Sequence, residues 1–198
     1  LSLSETNLLG KGQKLNLQLS TSKNSNSLSF SFVEPAFLDR DVSAGIRFNF
    51  RESDPDESTY TSNSLSISPS LGFVIGPNSK MTLSYEIENL DISSENSPSK
   101  VLQNDDGQYF NSSFNSILVY DKRNSMIEPT SGYIIKLNNS LMGLGGDIGY
   151  LKNSLRTKLY KGVNDNKVVI SAEVEGGMLD TLKGYSRVTD RFKLGGRN

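Results

Sequence analysis

Apolar and polar residues alternate with a period of two along most of the chain. The clearest case follows the turn at 121–132, where Tyr133, Ile135, Leu137 and Leu141 fall on one side and Ile134, Lys136, Asn138 and Ser140 on the other. A period of two sends successive side chains to opposite faces of a sheet, so each such segment predicts a strand with one apolar face. Leu15, Leu17 and Leu19 alternate with Lys14, Asn16 and Gln18, and Val42, Ala44, Ile46, Phe48 and Phe50 with Ser43, Gly45, Arg47, Asn49 and Arg51. Leu65, Ile67, Leu71, Phe73 and Ile75 oppose a row of serines, with Pro69 on the apolar side. Proline lacks a ladder donor, so a bulge or local irregularity is expected there. Met81 to Ile87, Phe110 to Leu118, Leu151 to Leu159 and Val168 to Val174 repeat the pattern, although Ile117 and Val119 blur the polar face of theirs.

The segments are separated by turn chemistry, and no helical period interrupts them. This predicts about ten antiparallel strands joined as sequential hairpins. Compact turns are expected at 10–12, 34–40, 76–79, 121–132 and 161–166. Longer polar connections are expected at 22–27, 52–58 and 91–107 and in a tail from Leu179, with 143–146 the short exception. Compact and long connections alternate, so each kind gathers at one end of the sheet. Short periplasmic turns and longer external loops are the habit of outer-membrane barrels, which assigns the compact set to the periplasm.

Composition decides which face meets what. Of the 198 residues only 35% are hydrophobic, with a net charge of −1. That is a meagre supply for a packed core. The polar faces carry charges of both signs: Arg47, Arg51, Glu86, Glu88, Lys136, Arg156, Glu173 and Glu175. A soluble sandwich would bury the apolar faces, whereas a membrane barrel turns them to lipid around a hydrated lumen. Segments of about ten residues match a tilted span of ~9–11 residues better than a soluble strand. Tyr85, Tyr109, Tyr133 and Tyr150 sit where interfacial girdles are expected. The expected fold is therefore all-β, an up-and-down antiparallel transmembrane β-barrel.

Chemistry offers little beside this. There is no cysteine and no histidine, which removes thiol chemistry, the usual general base and the commonest metal ligand. Asp105-Asp106-Gly107 lacks the remaining spacing of a calcium loop. Gly143–Gly146 is followed by no Lys-Ser/Thr and no helix, so it is not a phosphate loop. Glu173 and Glu175 share a face without a pocket. No enzyme, cofactor or metal site is expected. The charge balance gives no nucleic-acid partner.

At Asp121, Arg123, Asn124, Pro129, Thr130, Gly132 and Tyr133 the chain resembles the Omp85 superfamily, whose motif there is D-x-R-[DN], then P-T-x-G and an alternating strand. Arg191, Phe192, Gly195 and Gly196 resemble the family's RF-x-x-GG approach to its R-G-F loop. Gly145-Gly146-Asp147 with Tyr150, 7–12 (NLLGKG) and 34–37 (EPAF) resemble further turns in the family's order. The resemblance implies a barrel of roughly sixteen strands, preceded by periplasmic POTRA domains. On this view residues 1–198 are an internal part of that barrel, cut at both ends, without the POTRA domains, the closing strands or the R-G-F motif. Such a part is not expected to function alone, because lipid cannot satisfy two unpaired edges.

The resemblance further implies an assembly factor of the bacterial outer membrane, which folds and inserts β-barrel proteins. Its partners would be the lipid bilayer and unfolded outer-membrane proteins, with accessory lipoproteins as further candidates. The alternatives are a TamA-like or two-partner-secretion translocation barrel, a passive porin and, least of all, an outer-membrane enzyme. Asp121 and Arg123 either meet a partner or pair locally to shape the turn. Pro129 and Gly132 read as turn geometry. The charges on the polar face either guide a loop into the lumen or form a solvated surface.

Overall fold

The computed structural model describes residues 1–54, 60–94, 97–187 and 190–192. The strands are β1 (Ser2–Leu8), β2 (Gln13–Ser22), β3 (Ser25–Glu34), β4 (Val42–Ser53), β5 (Thr61–Gly76), β6 (Ser79–Ser93), β7 (Gly107–Asp121), β8 (Ser131–Met142), β9 (Gly149–Val163) and β10 (Val168–Lys183). They form one ten-stranded sheet in sequence order, every neighbouring pair antiparallel. This is the up-and-down meander that the alternation predicts. The sheet is open: β1 and β10 each pair along one side, so the barrel is incomplete.

The sheet is inside out relative to a soluble protein. Along β5, Leu65 and Ile67 are each 43% exposed while Ser66 and Ser68 are 8% and 5% exposed. In a curved sheet, side chains inside the curve shield one another and those outside splay apart. The serines therefore line the concave side and the leucine and isoleucine the convex one. Pairing carries the assignment across the sheet. Ile46 lies opposite Pro69, Leu71 opposite Leu83, Leu118 opposite Leu137, and Leu137 opposite Leu155. Burial on the concave side thus falls on hydrogen-bonding side chains, and the apolar area stays outward, where a bilayer supplies the apolar environment. A polar row crosses the outward band, in which the Asn139 amide donates to Ser116 Oγ at 3.1 Å and so satisfies itself within the sheet.

The true apolar core is small. Met142, Ile148 and Tyr150 are buried together, with Tyr109 and Leu179 packed against them, and Leu90 and Ile92 are also buried. All lie at the end of the sheet where the β6–β7 and β8–β9 connections fold back on it.

Several sequence expectations change. The connection expected at 22–27 is the two-residue turn Lys23–Asn24, because Ser25–Ser27 pair with β2 and β4. The expected tail from Leu179 begins only after Lys183, because pairing with β9 holds the strand beyond Gly176 and Gly177, where the alternation fades. The polar stretch expected at 91–107 is shorter, and it contains a helix, α1 (Lys100–Asn104). Five residues are too few to show a helical period. The two ends are therefore less unequal than the expected connection lengths. At Pro69 no residue is inserted: Ser68 and Pro69 pair with β4 but not with β6, and the register on either side is unchanged. The irregularities of register lie instead near strand ends, at Glu5/Leu8, Val74/Gly76 and Thr181/Lys183.

Candidate functional site: the concave polar face and the segment that crosses it

The period of two and the register place all eight charges expected to face a lumen on one side of the sheet. Arg47 pairs with Ser68, Arg51 with Ser64, and Glu88 with Ser66. Glu86 pairs with Ser113, Lys136 with Arg156, Arg156 with Glu175, and Glu173 with Lys158. The structure gathers them into groups. Arg156 donates to Glu175 at 2.6 and 2.9 Å and lies 3.6 Å from Glu173, which also lies 3.6 Å from Lys158. These side chains are about half exposed, so the cluster contributes roughly 0–1 kcal/mol per pair and acts mainly as a hydrated surface.

The second group was not legible in the sequence. After β10 the chain turns back over the polar face, and Arg187 is fully buried there. Its guanidinium grips Asp190 in a fork, with Nε to Oδ2 at 2.9 Å and Nη2 to Oδ1 at 3.0 Å. Nη2 also donates to Asn111 Oδ1 at 3.3 Å, and Asn111 donates to Glu88 at 2.9 Å. Arg187 stacks over the Tyr109 ring at 4.6 Å. The Tyr150 hydroxyl donates to Asp190 Oδ1 at 3.4 Å, and Lys152 Nζ donates to the Asp190 carbonyl at 2.6 Å. One network therefore ties β6, β7 and β9 to residues 184–187 and 190–192, which strap the inner face. Arg187 and Asp190 are three residues apart, a spacing that carries no periodic signal in a loop.

This network corrects part of the expected aromatic girdle. Tyr109 and Tyr150 belong to the inner face, because alternation sets them beside Asn111 and Lys152. Tyr85 and Tyr133 are on the outer face. Of the RF-x-x-GG residues, Arg191 donates to the Ser186 carbonyl at 2.9 Å and Phe192 lies under Lys152 Nζ at 4.7 Å. Gly195 and Gly196 lie outside the described residues.

The motif turn between β7 and β8 is built from its own side chains. Arg123 donates to Asp121 through Nε at 2.9 Å and Nη2 at 2.6 Å. Asn124 Oδ1 accepts from the backbone of Thr130 and of Ser131, each at 3.0 Å, and its amide donates to Thr130 Oγ1 at 2.7 Å. Tyr133 packs its ring 5.9 Å from that of Tyr120. Gly132 has φ +99°, and a Cβ there would run into the Lys122 carbonyl and lie 2.8 Å from Arg123 Cα. Gly132→Ala combines a left-handed backbone with a collision against main chain, so it is expected to cost about 3 kcal/mol or more. A urea titration of the folded barrel checks this, and an unchanged midpoint would contradict it.

Asp121 ends β7 at the rim, outside the hydrocarbon span. Hydrogen bonds from Arg123 hold its carboxyl below the ordinary carboxylate range. A folded pKa below the unfolded one means that this stabilisation is fully present above the unfolded value, near ~4. It is lost as pH falls through the folded value. In Asp121→Asn this contribution is missing at neutral pH, and the variant and the parent converge in stability as pH falls through the folded value. The direct check is that the variant's stability at neutral pH falls and its acid dependence flattens.

An antiparallel sheet with an apolar convex face, a charged concave face and a strap lying on that inner face defines a transmembrane β-barrel of the outer-membrane type. Residues 7–198 match the Omp85 superfamily domain, and the chain belongs to that superfamily. It is 31% identical over 201 residues to the sorting and assembly machinery component 50 homolog of Bos taurus, covering 99% of this chain and 42% of that protein. It is 25% identical over 195 residues to the outer membrane protein assembly factor BamA of Nitratidesulfovibrio vulgaris, covering 97% of this chain and 24% of that protein. The chain thus spans less than half the length of these relatives. The crystal structure of BamA from Haemophilus ducreyi lacking POTRA domains 1-3 superposes with a TM-score of 0.81 at 20% identity, over 98% of this chain and 41% of that one. At that identity the likeness shows the fold alone.

Proposed function

We propose that this chain is part of the barrel domain of an outer-membrane assembly factor, a protein that folds other β-barrels into the membrane that holds it. The observation that carries the reading is the inside-out sheet with its strapped inner face, in a chain of the Omp85 superfamily. The assembly names of its relatives support it. A sheet with two free edges cannot sit in lipid, because the bilayer offers no partner for unpaired N–H and C=O groups. The working barrel therefore uses strands beyond these ten. Its clients are unfolded barrel proteins. The end bearing the β1–β2, β3–β4, β5–β6, β7–β8 and β9–β10 turns faces the compartment from which those clients arrive.

Two settings share this mechanism. One is the bacterial outer membrane, where accessory lipoproteins are available as partners. The other is the outer membrane of a eukaryotic organelle, and the higher identity to the bovine relative than to the bacterial one favours it. Fractionation of the source cells decides between them. The strap held on the polar face by Arg187 and Asp190 speaks against a passive pore.

Depletion of the full-length protein is expected to lower the levels of several unrelated outer-membrane barrels together. Loss of a single client would point to a translocation barrel instead. Normal levels of all of them, with a steady ion conductance in the purified protein, would replace the assembly reading with the porin one.

A further inference from the structure

The four most exposed large apolar side chains within the described residues, leaving aside the terminal Leu1, gather at one end of the sheet. Leu9 is 82% exposed, Leu38 73%, Met126 75% and Ile127 91%. Leu9 lies in the β1–β2 turn, Leu38 in the β3–β4 connection, and Met126 and Ile127 in the β7–β8 loop. They are held there, not frayed. Leu9 and Leu38 have φ of 55° and 56°, a left-handed conformation that a leucine adopts only when its surroundings impose it. Around Leu9, Asn7 Oδ1 accepts from the Gly12 backbone at 2.7 Å and the Gly10 N–H bonds to the Asn7 carbonyl at 3.1 Å. Below Ile127, Ser125 Oγ accepts from the backbone of Ile127 and Glu128 at 3.3 and 3.2 Å, and Asn124 staples the loop to Thr130.

We infer that these turns are interfacial anchors, and that the Leu9, Leu38, Met126 and Ile127 side chains insert into the headgroup–acyl boundary of the phospholipid leaflet at this end of the barrel. Three observations select lipid as the occupant. The tips lie on three separate hairpins, spread over strands β1 to β8, which at the usual strand spacing is about 34 Å. A bilayer meets all of them at once, whereas a single docking pocket meets one. The loop that carries Met126 and Ile127 also joins β7 to β8, whose Leu118 and Leu137 pair in the outward apolar band, where lipid is already the neighbour. Finally, Tyr120 and Tyr133 flank the β7–β8 loop as a packed pair on the outer face, and outward tyrosines mark the level of the membrane interface. Insertion of several apolar tips would fix the depth and tilt of the barrel in the membrane.

The β9–β10 turn provides an internal control. It lies at the same end and also has left-handed residues, but its tip is Asn164-Asp165-Asn166. The test uses the full-length protein in phosphatidylcholine vesicles, with a single environment-sensitive fluorophore on a cysteine at 127, 38, 165 or 155. Quenching by iodide in water is compared with quenching by shallow spin-labelled lipid. Labels at 127 and 38 are expected to be protected from iodide at least ~5-fold relative to 165 and to be quenched by the lipid. Iodide quenching at 127 equal to that at 165 would overturn the inference. So would protection from iodide without lipid quenching, which would mean that protein covers the tip. The label at 155, on the outward band, reports separately on the membrane-barrel reading: if lipid fails to quench it, that reading falls, and if it is quenched while 127 is not, only the anchor falls.

Discussion

Leu137→Arg is expected to destabilise the barrel by about 2–4 kcal/mol, the cost of a cation on the lipid face near the bilayer midplane. The residue lies near the middle of β8, between Leu118 and Leu155 on the convex side. An arginine there either sits in hydrocarbon or bends towards an interface along apolar neighbours. Its sequence neighbour supplies the contrast. Lys136 faces the polar side opposite Arg156 and is exposed, so Lys136→Ala should change stability by no more than ~0.5 kcal/mol. The pair is informative because adjacent residues on a strand lie at nearly the same depth but on opposite faces. Reversible unfolding in lipid vesicles measures both. Equal effects, or a larger one for Lys136→Ala, would mean that the apolar face does not meet lipid.

The second large effect is expected at Arg187. Arg187→Ala leaves the Asp190 carboxylate buried without its main counter-charge, and breaking a buried pair from one side costs about 3–5 kcal/mol. The loss should appear as release of the strap, because the Arg187 bond to Asn111 joins the strap to β7 and the fork holds Asp190 where Tyr150 and Lys152 of β9 meet it. Faster tryptic cleavage after Lys183 and Arg191 in the folded barrel is the readout. Replacing both partners together, as in Arg187→Met with Asp190→Leu, should restore much of the stability, since two apolar groups leave no orphaned charge. Cleavage in Arg187→Ala at the native rate would show that the network does not hold the segment. The surface cluster of Arg156 with Glu175 is a useful comparison: it is half exposed, and Arg156→Ala should cost no more than ~1 kcal/mol.

The motif turn shows how much of a site a sequence can disclose. Asp121, Arg123, Asn124, Thr130 and Gly132 are close in sequence, and each does its work within a few residues, so their pattern survives in one dimension. Arg187, Asn111, Glu88 and Tyr150 are far apart in sequence, and their meeting depends on the chain turning back after β10. Tyr109 and Tyr150 show the same limit in another way. As tyrosines near strand ends they fit an outer girdle, and only their register shows that they face inward against Arg187 and Asp190. The Lys23–Asn24 turn and the continuation of β10 to Lys183 were likewise set by neighbouring strands, because local polarity at 22–27 and glycines at 176–177 argue for loop.

By itself the sequence determined the class of fold, the order of the strands and the face on which each charged residue lies. These follow from a period of two and from turn residues, which act locally. The tertiary structure bore out, through burial, the outward apolar face that composition had suggested, and it decided where strands end, how the strap is held and which apolar tips stand clear at the rim. Those depend on curvature and on contacts between residues distant in the chain. Alternation is symmetric between the two sides of a sheet, so it says that the faces differ but leaves the direction of the bend to the assembled sheet.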